Sequence, residues 1–573
     1  MKIRFLIIIL LAFSMEIYAS HAFVTTASAI NNGSWIAGDT IIMKNGTWTN
    51  QSILFKATGT ADQPVVLMAE TPGSVILNGT SKLGFSGKYV EINGLYFKDG
   101  TLSGSDVISF RKSGTDVAEN CRLTNTTIEN YNPALNTVDS KWVSLYGLNN
   151  KVDHCSFINK NNSGTLLVIW LTNGVTVNHI ISDNYFGYRN SNLDSSGNEL
   201  NGQEIIRVGD SSTSMTTASC IVSGNFFEKC NGEIEVISNK SCGNLYTNNL
   251  FLECHGMLTL RHGNNCTVNG NYFFGNGVTE SGGVRVIGEN HKVFNNYFDN
   301  LRGTDYRSGI CIVRGKENSA LNEYFQVKNA MIEFNTFVNC SQAFSINYNS
   351  SSSLTMAPIG TVIAHNHVYN TTLSSRKNVN ISTVNIAAMD VIWKNNLMNQ
   401  GIYSNFTYTT SQIVTGQDAK MALAGTTINM FEPSAGSALE NYSTSENDDV
   451  LNDIRGRSRN STKLPGASQV NGEISRFMPV KSQVGSSFYN NPTSDTKNIQ
   501  SIHSINVKTI NNRLVINSIH AGKIIILDSS GKIICQKTVK FGTSEIKIEN
   551  QGIYLIVFEA DNGNKFSQKI IIN

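Results

Sequence analysis

The sequence predicts an all-β chain: a right-handed parallel β-helix followed by a small C-terminal β-sandwich. A short phrase, Asn or His followed closely by an apolar residue, recurs through the middle of the chain. Between recurrences lie short β-rich runs broken by Asn and Gly, with no helical period. Charged side chains make up only 15% of the 573 residues and hydrophobic ones 40%. Asn, Ser, Thr and Gly fill the place of the roughly 25% charge usual in globular domains. At about 150 residues per unit the length suggests several domains, yet one repetitive β domain absorbs many such units.

The first residues carry Lys2 and Arg4, an apolar run from Phe5 to Phe13, then small residues around Ala19, Ser20 and Ala22. This is the three-part form of a secretory signal, expected over residues 1–22, with the mature chain starting near Phe23. No segment reaches the roughly 20 apolar residues of a spanning helix, so no transmembrane segment is expected.

The repeat then begins. It appears as His154-Cys155-Ser156-Phe157, Asn184-Tyr185-Phe186, Asn225-Phe226-Phe227, Asn249-Leu250-Phe251, Asn271-Tyr272-Phe273, Asn296-Tyr297-Phe298, Asn335-Thr336-Phe337 and Asn366-His367-Val368. From Asn225 to Asn249, Asn271 and Asn296 the steps are 24, 22 and 25 residues. A coil of that size in three short strands is one turn of a parallel β-helix, and equivalent positions in successive coils stack about 4.8 Å apart. The longer steps elsewhere mark loops inserted into regular coils. A leucine-rich horseshoe has similar periods, but its leucine-and-asparagine signature is absent. Cys230, Cys254 and Cys340 each lie five residues after a repeat Asn, as interior small-residue ladders would, rather than a disulfide framework. The solenoid is expected over residues 23–481, with 401–481 either final coils or an irregular cap.

Residues 482–498, with Gly485-Ser486-Ser487 and Asn491-Pro492, read as a linker. Beyond them, over 499–573, β-branched runs such as Ile524-Ile525-Ile526-Leu527 and Tyr554-Leu555-Ile556-Val557-Phe558 alternate with turns such as Asp528-Ser529-Ser530-Gly531, the pattern of a β-sandwich. An accessory immunoglobulin-like or glycan-binding module would show the same runs.

A net charge of +2, from 45 basic and 43 acidic residues, argues against a nucleic-acid binder held by a bulk positive field. Ten scattered cysteines show no paired zinc-site spacing. Chemistry concentrates at Asn231 to Ser241. Glu233 and Glu235 alternate with Ile234 and Val236, so in a strand both carboxylates face outward together. Two adjacent carboxylates repel unless a cation or proton lies between them. With an oxygen from a neighbouring coil, such as Asn201, they make a calcium site, and Glu204 is a further candidate ligand. Lys240 follows Glu235 by five residues, Arg261 follows Lys240 by 21, and Arg285 lies 24 further on, with His262 and Arg207 close in sequence. In register these cations line an anion-binding groove suited to a polyanionic sugar. From spacing alone, solvated surface ion pairs account for the same residues.

Resemblance adds to this reading. Gly232-Glu233-Ile234-Glu235, Ser238-Asn239-Lys240-Ser241 and Thr259-Leu260-Arg261-His262-Gly263 resemble the signature of polysaccharide lyase family 6, the alginate lyases and chondroitinase B. Asn201 to Gly209, Gly282 to Gly288 and Ser140 to Ser144 are similar to that family in the same order. The resemblance implies Lys240 as general base, Arg261 as general acid, Asn201, Glu233 and Glu235 as calcium ligands, and His262, Arg285 and Arg207 along the substrate groove. It implies calcium-assisted β-elimination on a 4-linked uronic-acid polymer, with alginate expected ahead of dermatan sulfate. A glycoside hydrolase or a non-catalytic glycan-binding adhesin on the same solenoid remains the alternative. At the C-terminus, Gly552 to Phe558, Gly563 and Lys569 to Ile572 resemble the sorting domain of the Bacteroidetes type IX secretion system. That resemblance implies export through the type IX machinery to the periplasm, cell surface or medium.

Overall fold

A computed structural model describes residues 20–490, apart from 103, 195, 373–374, 425–427 and 460–461, and the strands between residues 505 and 572. The expected signal over 1–22 lies outside the described residues up to residue 19. His21–Val24 is already a strand paired with Thr40–Met43, so a cleavage near Phe23 would cut a paired strand, whereas one before His21 leaves it whole.

Three parallel sheets of 14 strands each build the first compact unit, Met1–Pro492. One coil shows the plan. Leu245–Thr247 lies in the first sheet, Leu250–Leu252 in the second and Met257–His262 in the third. They pair in parallel with Thr267–Asn269, Tyr272–Phe274 and Val284–Val286 of the next coil. This is the parallel β-helix that the repeat predicts.

The repeat Asn is the corner between the first and second sheets. The residue before it adopts a left-handed backbone, as Asp183, Gly224, Asn248, Gly270 and Asn295 do at φ 56°, 68°, 53°, 70° and 55°. Gly, Asn and Asp visit that region at the least steric cost. The corner turns the repeat side chain inward, where Asn184, Asn225, Asn249, Asn271, Asn296, Asn335, Asn366 and Asn396 form one hydrogen-bonded ladder. From Asn225 onward each side-chain carbonyl accepts both the backbone N–H and the side-chain amide of the asparagine one coil earlier, at 2.9–3.1 Å. Beside the ladder Phe157, Phe186, Phe227, Phe251, Phe273, Phe298 and Phe337 stack with ring centroids 4.6–5.2 Å apart. Burying each ring contributes about 1.5–3 kcal/mol. All ten cysteines are unpaired and nine are buried. Cys230, Cys254 and Cys340 each turn the thiol onto the backbone carbonyl of a phenylalanine in the preceding coil, as the interior-ladder reading expects.

At the N-terminal end a short helix, Ala27–Asn32, capped by the Thr26 hydroxyl, buries Ala27 and Ile30 in the core. At the other end the choice between final coils and a cap gives way to a third arrangement. Ile402–Ser404 and Ile413–Val414 add the last strands. From Met430 onward the chain turns back along the outside of the second sheet. The Phe431 amide donates to the Tyr297 hydroxyl (2.8 Å), the Tyr272 hydroxyl to the Ile454 carbonyl (3.3 Å), and Lys481 pairs with Glu228 (2.7 Å). Met430, Ile454, Ala467, Met478 and Val484 cover the outward Tyr185, Phe226, Leu250, Tyr272 and Tyr297 in a second apolar layer. The expected linker at 482–498 is part of this strap as far as Tyr489. Ser486 and Ser487 bond Ser156 and Asn125, so the small polar residues that suggest a flexible link serve here as lateral hydrogen-bonding groups. Residues 491–498 lie outside the described residues.

The second unit, Thr493–Asn573, holds two antiparallel sheets. Arg513–Ser518 pairs with Ile505–Ile510 and Gly542–Lys547; Gly522–Asp528 pairs with Ile533–Val539 and Gly552–Ala560, and the latter also pairs with Lys565–Ile572. Ile524, Ile526, Ile546, Tyr554, Ile556 and Phe558 are buried. Among the described residues no helix is long and apolar enough to cross a membrane.

Replacing Asn271 by Ala removes the acceptor of Asn249 and the donor to Asn296 and the Tyr246 carbonyl in a dry interior. The expected loss of stability is about 2–4 kcal/mol, read from the shift in the denaturant midpoint.

Candidate active site on the third sheet

The third sheet positions the site, and two local irregularities shape it. Between strands 235–240 and 257–262 the pairing runs Glu235 with Met257, Ile237 with Leu258, Ser238 with Thr259, Asn239 with Leu260, then Lys240 with His262. Val236 and Arg261 are therefore extra residues. Such bulges bend a strand and re-aim its side chains. The 21-residue step from Lys240 leads to a bulge at Arg261, and His262 occupies the matching position.

Glu204, Glu233 and Glu235 come together. One carboxylate oxygen from each lies within 4.8 Å of the others, and all three residues are buried. Strand alternation does not join them, because the strand starts at Glu235 and Glu233 sits in the bend before it. Glu204 accepts from the Thr165 hydroxyl (2.7 Å) and lies 3.7 Å from the Lys240 ammonium. Glu235 accepts from the Ser238 hydroxyl and is ion-paired with Arg285. Glu233 accepts from the Gly202 amide at 3.1 Å, while its other oxygen is buried without a partner. Beneath the cluster Arg189 donates to the backbone carbonyls of Glu204, Asn162 and Gly164 at 2.8–3.1 Å. Burial pushes the Glu233 carboxyl far above its ordinary value, and Glu204 and Glu235 push it further. A partnerless oxygen in a buried triad of carboxylates is the donor set a hard divalent cation takes. The three glutamates fit such an ion. Asn201, expected as a ligand, is exposed and stands immediately before Gly202, whose amide donates to Glu233.

The cations line the same face. Lys240 lies at the edge of the carboxylates. His262 is 2% exposed, 3.3 Å from the Ser211 hydroxyl and 3.4 Å from the Arg261 guanidinium. Burial first, then the charges of Arg261 and Lys240, lower its pKa to about 3, so the imidazole is neutral. Arg261 donates to the Glu323 carbonyl at 2.8 Å and lies 4.2 Å from the Tyr324 ring centroid. Burial lowers its pKa too. No spacing in the sequence signals this loop, which returns from 62 residues downstream. Arg207 pairs in register with Ser238, and Thr259 with Arg285, so both arginines stand in one outward row.

Against this geometry, residues 25–442 match the Chondroitinase B family. The chain belongs to that family, polysaccharide lyase family 6. Its structure resembles the family 6 alginate lyase AlyGC, at 32% identity and a TM-score of 0.69 over 82% of this chain. The chain spans 59% of that enzyme's length. A mannuronic acid specific family 6 lyase from human gut microbiota matches at 28% identity and TM-score 0.62, over 69% of this chain and 91% of that one. A family 6 polysaccharide lyase from Pseudopedobacter saltans matches at 28% identity and TM-score 0.57, over 68% of this chain and 95% of that one. No curated protein matches the chain. The family match spans the whole of the third-sheet site.

Because the folded chain holds the Glu233 proton to higher pH than the unfolded chain does, stability from this group is full at low pH. It declines as pH rises past 4.5, the ordinary glutamate value, toward the raised one. In chelator-treated protein Glu233→Gln should flatten that decline in a thermal-melting series. Divalent cation should raise the melting temperature of the wild type and not of this variant.

Proposed function

We propose that this family 6 chain is a lyase that cleaves a 4-linked uronic-acid polymer, alginate first, by calcium-assisted β-elimination. The observation that carries the reading is the buried Glu204, Glu233 and Glu235 triad with an unpartnered oxygen, set beside Lys240 and faced by His262 and Arg261. Alginate is favoured by the alginate lyase and the mannuronic acid specific lyase among its relatives.

A calcium ion held by the three glutamates would supply charge neutralisation at the uronate carboxylate, which otherwise opposes carbanion formation at C5. Lys240 takes the C5 proton. Arg261 faces the leaving O4, where its charge stabilises the developing oxyanion and assists protonation. Fixed by the Glu323 carbonyl and the Tyr324 ring, the guanidinium keeps its position through the reaction. The neutral His262 between them accepts or donates a hydrogen bond to the sugar without adding charge. Arg285, paired with Glu235, orients that carboxylate, and Arg207 stands free for an anionic group. The elimination leaves a 4,5-unsaturated uronate at the new non-reducing end. The chondroitinase B name of the family makes dermatan sulfate the second substrate to test. The C-terminal unit acts as a type IX export module in this reading, which places the enzyme outside the cytoplasm, where such polymers occur.

Ultraviolet absorbance of the unsaturated product should rise with alginate and be abolished by EDTA, then restored by added calcium. Lys240→Ala and Arg261→Ala should each lower kcat by about 10²–10⁴-fold with the melting temperature preserved. A full rate for Lys240→Ala, or activity indifferent to EDTA, would overturn the reading.

A further inference from the structure

The outward row that carries Lys240 continues toward the start of the chain as Gly209, Trp170, Tyr146 and Arg111. Gly209 pairs with Lys240 on the row itself, Ile169 with Val208 and Leu145 with Ile169 one residue before it, and Ser109 with Ser144 two residues before it. The Tyr146 and Trp170 rings stack at 6.2 Å and 13°. Arg111 lies 3.8 Å from the Tyr146 centroid and Arg207 lies 5.2 Å from the Trp170 centroid. The result is a guanidinium, two rings and a second guanidinium over four successive coils. At about 4.8 Å per coil the two arginines stand roughly 14 Å apart.

Among the described residues neither arginine is ion-paired within 4.0 Å, whereas Arg122, Arg285, Arg307 and Arg457 all are. The Arg207 Nε is buried without a partner. Asp106 abuts the ladder, bonds Ser144 and interacts electrostatically with Arg111 without closing to an ion pair. Arg111, Tyr146, Trp170 and Arg207 are all half-buried, so their edges reach solvent. A guanidinium lying on a ring keeps its N–H edge free for a planar anion, and a carboxylate matches that edge two bonds at a time. Gly209 adds no side chain between Trp170 and Lys240, so bare backbone joins the ladder to the proposed base.

We propose that Arg111, seated on Tyr146, is a distal carboxylate-binding subsite that, beyond the groove residue Arg207, holds a uronate chain along the solenoid axis on the N-terminal side of Lys240. This rests on the uronate-lyase reading and extends it to chain length. A substrate straddling Lys240 meets Arg207 first and reaches Arg111 only when it extends several sugars further.

The test measures kcat/KM of the full chain on saturated oligouronates from three to eight sugars and on the polymer. For the wild type the value should climb with length. In Arg111→Gln the last part of the climb should disappear, with a loss of at least about fivefold on the polymer and none on the trisaccharide. Tyr146→Leu should behave alike, and melting curves confirm that both variants fold. Equal loss at every length, or no loss at all, would overturn the proposal. Should the wild type yield no unsaturated product, the lyase reading fails separately. Calorimetric titration with polymannuronate then judges the ladder: weaker binding by both variants supports it, and unchanged binding overturns it.

Discussion

Register between successive coils is the constraint on which everything else depends. Each asparagine of the interior ladder satisfies the backbone and side chain of the asparagine one coil earlier. A slip of one residue would leave several buried amides without partners at once, each at a cost of about 1–3 kcal/mol. The phenylalanine stack beside it has the same period and resists slippage through packing. Together they fix which outward residue lies above which. Groups as distant in sequence as Arg207, Ser238, Thr259 and Arg285 therefore share one row.

On that fixed lattice the site is a concentration of electrostatic stress. Three carboxylates in a buried pocket are unfavourable until a proton or a cation neutralises them, and the raised Glu233 and its unpartnered oxygen are the mark of that stress. The surrounding cations relieve it in part: Arg285 pairs with Glu235, Lys240 approaches Glu204, and Arg189 holds the backbone from below. The same arrangement keeps His262 neutral. A near-zero net charge overall thus coexists with a strongly polarised groove, which suits an anionic substrate drawn to one face.

The strap over the second sheet answers a different demand. Outward Tyr185, Phe226, Leu250, Tyr272 and Tyr297 would expose an apolar band on a solenoid whose third sheet carries the candidate site. Running residues 430–489 back along the second sheet buries that band and leaves the third sheet clear. Residues 316–324 then reach over the open face from the C-terminal side and hold Arg261 in place.

The solenoid was legible in the sequence because its period is chemical: Asn at the inward corner, a left-handed residue before it and Phe after it must recur whenever a coil closes. Lys240, Arg261 and Arg285 were legible as a group because their steps of 21 and 24 residues are close to one coil, whereas Glu233 and Glu235 were grouped by an alternation that the bend before Glu235 does not have. Three things escaped that logic. The bulges at Val236 and Arg261 break the two-residue alternation, so Lys240 lies opposite His262. Glu204 was only a further candidate beside Glu233 and Glu235, yet its carboxylate lies in one buried cluster with theirs. The return of 430–489 along the flank carries no period at all. Sequence by itself determined what repeats and which charges share a face; only the tertiary structure decided how the irregular segments between repeats aim their side chains, because those segments take their conformation from the coils they pack against.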